Sequence, residues 1–168
     1  MSPYILAVNY FFHLIATIVW IGGLALFAVL VFPEAQRVLK DSPAFYDLLA
    51  RLRRRFLPLT NFSLAVLIGT GMIQMAGDPN YDGMLQFTNE WSRVILYKHI
   101  AIIGMLICGV ILQYRVAPAL ERARLLASRG KADAAEMERL QRAEVRLTWV
   151  NVILGVAVLG FTAWATAL

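Results

Sequence analysis

Acidic residues are missing where this chain is most apolar. Four apolar runs, at about 4–32, 57–76, 93–116 and 147–167, contain no Asp or Glu. Proton pumps and ion-coupled transporters usually carry intramembrane carboxylates, so the gap weighs against that class. Cysteine is nearly absent as well. Cys108 alone excludes an intramolecular disulfide and any CxxC metal or redox motif, and the lack of CxxCH excludes covalently attached c-type haem. Within its apolar run, Cys108 reads as a small buried residue. Period-two alternation is also missing, which argues against a β-barrel. The net charge of +5 comes without a basic face interleaved with aromatics, so nucleic acid is not the expected partner.

What remains is hydrocarbon. Sixty per cent of the 168 residues are hydrophobic, where a soluble domain has about half. Each apolar run reaches the roughly 20 residues that a membrane helix needs. The first has no basic region before it and runs too long for a signal-peptide core, so it reads as a mature span. No internal repeat, low-complexity segment or second domain stands out, and residues 1–168 read as a single domain. The expected fold is all-α, an integral membrane four-helix bundle in contact with the lipid bilayer.

The connections orient it. Residues 33–56 carry Arg37, Lys40, Arg51, Arg53, Arg54 and Arg55, and residues 117–146 carry seven more basic residues. Residues 77–92 carry Asp78, Asp82 and Glu90 and no lysine or arginine. The positive-inside rule puts both basic connections in the cytoplasm and both termini outside, in a prokaryotic-type plasma (inner) membrane. Ser42 followed by Pro43 predicts a helix start well before the second span. Asp133 with Glu136 three residues on resembles a capping box, and Gly130 marks the turn of a cytoplasmic helical hairpin over about 118–146.

Apart from tyrosine and Cys108, the titratable side chains well inside the spans are His13, Lys98 and His99. Counted from the outer side, His13 lies about 14 Å deep and His99 about 12 Å, at 1.5 Å per residue. Two imidazoles at one depth on helices running the same way suit the axial positions of a haem b. Ala16, Gly22, Gly23, Gly69, Gly71 and Gly104 would make room for the ring, Trp20 would border it, and Lys98 and Arg93 would neutralise its propionates. Lys98 is alternatively an iron ligand, or a side chain that snorkels to the surface. The plainer alternative makes each histidine an interhelical hydrogen-bonding group, with Asn9, Thr60, Asn61 or Asn151 as partner. Trp91, Tyr97, Trp149 and Trp164 would then be interfacial belt residues. A sulfur-based alternative sets Met72, Met75 and Met84 at the outer end of helix 2, where thioethers suit Cu(I) and the histidines could receive the ion.

Three stretches carry a family resemblance: "HLIATIVWIGGLALFAVLVFP" from His13, "RFLPLTNFSLAVLIGTGMIQ" from Arg55, and "WSRVILYKHIAIIGMLICGVILQYRVAPAL" from Trp91. Their order resembles the CopD-like integral membrane family and the related HemJ-type protoporphyrinogen oxidases. The resemblance implies a small four-helix membrane protein. It also implies either copper uptake or resistance, or haem b binding with porphyrinogen oxidation. His13 matches the family's helix 1 histidine and Lys98 its helix 3 lysine, whereas His99 departs from the pattern. The first expectation is therefore a cytochrome b-like membrane oxidoreductase with haem b between His13 and His99. It would pass electrons to or from a quinone, another redox partner or a porphyrinogen. The alternatives are a CopD-like copper protein, and a non-catalytic subunit of a homo-oligomer or larger membrane complex.

Overall fold

Where the chain caps its helices, the residues involved are short polar ones with extended backbone. A computed structural model describes residues 2–39, 42–83, 86–127, 129–131 and 133–168, without the side chains of Pro43 and Tyr46. Helix α1 spans Pro3–Leu39, with proline in its first turn. Helix α2 spans Pro43–Gly77, and the Ser42 side chain caps it by accepting from the Ala44 N–H at 3.2 Å. Helix α3 spans Glu90–Ala127. Its start is a reciprocal capping box between Asn89 and Ser92, which the hydropathy pattern does not disclose. Helix α4 spans Ala134–Ala167, capped by Asp133, whose carboxylate accepts from Ala135 and Glu136. Gly130 makes the turn before it with φ +71°, a left-handed conformation that glycine adopts without steric cost. Among the described residues there is no strand.

Two prolines shape the helices around them. Pro33 and Pro118 each follow a π-helical turn, Phe27–Val31 in α1 and Leu112–Val116 in α3. Proline lacks the N–H that would continue the i to i−4 ladder, and its ring crowds the carbonyl four residues back. Widening the preceding turn relieves that crowding while the helix continues. A further π turn, Ile18–Gly22, brings Trp20 into a buried position on α1.

The helices are organised as two units, Met1–Thr88 and Asn89–Leu168. In the first, α1 and α2 pack antiparallel. Leu6 meets Gly77, His13 meets Thr70 and Gly71, and Gly23 meets the ring of Phe56. The α1 side of this seam steps through Leu6, Asn9, His13, Ala16 and Trp20, alternating spacings of three and four as interlocking helices do. Beyond the seam, Ala35, Phe45 and Leu49 form a small core with Phe27, Phe32 and Leu39 around it.

In the second unit α3 and α4 also pack antiparallel. A Cβ on Gly104 would lie 3.1 Å from Leu154, and the Tyr97 and Phe161 rings are 6.0 Å apart. Val94, Ala101 and Met105 are buried on α3, and Asn151, Gly155 and Val158 on α4.

The outward faces are apolar. Phe11, Phe12, Ile15, Ile100, Ile103 and Ile107 are all exposed, and in the most apolar stretch of α2 only 6% of residues are buried. Faces of that size have no stable place in water. All four helices are long and apolar enough to cross a membrane. The protein is a multi-pass membrane protein.

Candidate functional site

A connected polar group lies in the seam between α1 and α2. Thr70 sits mid-helix, and its hydroxyl donates back to the Val66 carbonyl at 2.6 Å. A hydroxyl has one proton, so the lone pairs of the Thr70 oxygen face outward as acceptors. His13 Nδ1 lies 2.8 Å from that oxygen. Nδ1 is therefore the donor of this bond, and in the neutral imidazole that puts the ring's lone pair on Nε2. Two further bonds hold the arrangement. Asn9, buried at 7% exposure, donates through Nδ2 to the Thr70 carbonyl at 3.0 Å, and Thr17 donates to the His13 carbonyl at 2.8 Å.

The ring edge is closely seated as well. A Cβ on Gly71 would lie 3.6 Å from His13 Cε1, in ordinary van der Waals contact, so α2 passes directly beside the imidazole. One turn further along α2, Gln74 buries its amide nitrogen without a hydrogen-bond partner, and Met75 stands on the same face as Gly71. Met72, three residues before Met75, is exposed. Met84 lies outside the described residues, as do Met1 and Lys40.

His99 is placed differently. It is on the exposed side of α3, and its Nδ1–H donates to the Ile95 carbonyl of its own helix at 2.7 Å. Arg93 is exposed and its Nε reaches the Asn89 carbonyl at 3.4 Å. Lys98 is half-buried, on the stripe of α3 that also carries Val94, Ala101 and Met105. Gly104 packs against Leu154, Gly23 against Phe56 and Gly71 against His13, so these glycines serve contacts between helices. Trp20 is buried within its π turn. Among the described residues, no three His, Cys, Asp or Glu side chains gather into one group.

The sequence discloses the histidine partners only in part. Asn9 is one of four expected histidine partners, with Thr60, Asn61 and Asn151, but its amide goes to the Thr70 backbone, and the partner of His13 is the Thr70 hydroxyl. The available signal is the matching three-four spacing of Asn9 and His13 on one helix and of Thr70 and Gln74 on the other.

A family model described as "Copper resistance protein D", CopD, matches residues 50–165. The chain belongs to the CopD family. No curated protein and no solved structure matches it. The CopD match takes in most of α2, all of α3 and nearly all of α4, and so includes Thr70, Lys98 and His99, while His13 lies before it. It supports the CopD-like resemblance and does not extend to the HemJ-type enzymes. Copper, the alternative drawn from the sequence, is the reading it supports. It lends none to haem b, electron transfer or an oxidoreductase.

Proposed function

We propose that this CopD family member handles copper at the outer side of a prokaryotic inner membrane, with the ion as cargo. His13 Nε2 is the central donor, and Met75 and Met72 are the thioethers that deliver the ion to it. The observation that carries this reading is the hydrogen bond between His13 Nδ1 and the Thr70 hydroxyl. Histidines that bind metals typically donate the other ring N–H to a fixed oxygen, which orients the ring and raises the basicity of the donor nitrogen. Thr70 plays that part here. Soft thioethers close by along α2 suit Cu(I).

Charge supports the orientation. Arg51, Arg53, Arg54 and Arg55 sit at the opposite end of α2 from Met72 and Met75, and Asp78 and Asp82 come after the methionines. The positive-inside rule then places the methionines and the entrance to His13 outside.

Metal analysis and a visible spectrum of the purified protein test this together. Colourless protein that retains Cu(I) is the expected result. A sharp b-type signal in the reduced-minus-oxidised spectrum would replace copper with haem b, and colourless protein without copper would remove both.

A further inference from the structure

His13 and Lys98 occupy corresponding places in two helical hairpins built to one plan. The stretch "HLIATIVWIGGLALFAVLVFPEAQR" from His13 can be set against "KHIAIIGMLICGVILQYRVAPALER" from Lys98 without a gap. Ile15, Ala16 and Ile18 then fall on Ile100, Ala101 and Ile103, and Pro33 and Arg37 on Pro118 and Arg122. The backbone keeps the same register. The π turn Phe27–Val31 falls on Leu112–Val116, residue for residue. Burial agrees too, with Ala16, Trp20 and Ala35 buried in one copy and Ala101, Met105 and Leu120 in the other.

The return helices match in the same way. "AVLIGT", ending at Thr70, corresponds to "AVLGFT", ending at Thr162. Both threonines donate to the carbonyl of the matching valine, Thr70 to Val66 at 2.6 Å and Thr162 to Val158 at 2.8 Å. In the first hairpin the Thr70 oxygen accepts from His13. In the second, the Gly104–Leu154 and Tyr97–Phe161 contacts set a register that puts Lys98 level with Gly160, about 3 Å along the axis from Thr162. The two sequence separations differ by seven residues, three in the longer connection between α3 and α4 and four in the longer helix ends that flank it.

We infer that the chain is a duplicated hairpin, and that position 98 is the second copy of the metal-donor seat at His13, with a tethered ammonium in place of a histidine and its ion. The inference rests on the copper reading of the His13 seat. An N–H of Lys98 reaching along the helix would meet the same need as His13 Nδ1–H, because the Thr162 proton is already committed to Val158 and its oxygen can only accept. The difference lies in the lone pair. An imidazole carries a second nitrogen that can donate to a metal, whereas an ammonium has donor protons only. One hairpin therefore takes a copper ion and its twin holds a tethered cation.

The test is Cu(I) stoichiometry of the full chain in detergent, by titration against a chromogenic chelator, in a His99→Ala background that silences the neighbouring imidazole. The parent should bind a single equivalent, lost in His13→Ala. Lys98→His should add a second equivalent, and Thr162→Val should abolish that gain. Lys98→Cys serves as a second variant should Lys98→His fail to fold. A parent that binds one equivalent, with neither folded variant adding another, overturns the duplicated seat and leaves the copper reading standing. So does a second equivalent that survives Thr162→Val. A parent that binds no copper overturns both.

Discussion

Thr70 accepts the Nδ1 proton of His13 across 2.8 Å while giving its own proton to the Val66 carbonyl. That double engagement orients a lone histidine in an apolar helix. Removing it should have two effects of different size. Thr70→Val loses an interhelical hydrogen bond, which in membranes is worth about 0.6 kcal/mol and at most about 1.7. It should also weaken Cu(I) binding by about tenfold, at the low end for loss of an orienting partner. Thr70→Ser, which keeps the hydroxyl, should restore most of the affinity. Chelator competition and unfolding in mixed micelles measure the two separately.

His99 provides the contrast. Its Nδ1–H is bonded to its own helix and its ring is exposed. His99→Ala should leave copper affinity within about twofold of the parent, less than about 0.5 kcal/mol by the usual conversion. A loss matching that of His13→Ala would show that both imidazoles share one ion.

Close approach of α1 and α2 depends on Gly23, since the Phe56 ring occupies the space a side chain would take. Gly23→Ala should destabilise the first unit by about 1–3 kcal/mol through overpacking. Phe56→Leu should be less harmful in the Gly23→Ala background than alone. The coupling from that double-mutant cycle is the measurement.

Orientation has a separate check. With Cys108 replaced by serine, cysteine introduced at Asp82 should react with a membrane-impermeant maleimide added outside intact cells. Cysteine at Arg54 should react only after the membrane is opened. The reverse pattern would invert the protein and put Met72 and Met75 in the cytoplasm.

How much the sequence discloses depends on how local the determinant is. The four helices of membrane-crossing length, the Ser42 and Asp133 caps and the Gly130 turn are settled by neighbouring residues, and the structure has them. The π turns before Pro33 and Pro118 are a consequence of proline chemistry, but nothing in hydrophobic pattern reveals them. The partner of His13 is hidden because it depends on the register between two helices, and hydrophobic periodicity gives a face without a register. Depth matching suffers from the same gap. It sets His13 and His99 at one level, yet level is a single coordinate. Each ring proves to be tied within its own unit, His13 to Thr70 and His99 to Ile95. The likeness of the two hairpins is masked because apolar residues replace one another freely. It emerges only when π turns, burial and threonine bonds are laid over the letters.

The most direct measurement is the Cu(I) dissociation constant of the full chain and of His13→Ala, by equilibrium competition with a chelator. Submicromolar binding by the parent, weakened about a hundredfold or more (roughly 2.7 kcal/mol) in His13→Ala, is the expected result. Equal affinity in the two proteins would contradict a copper seat at His13.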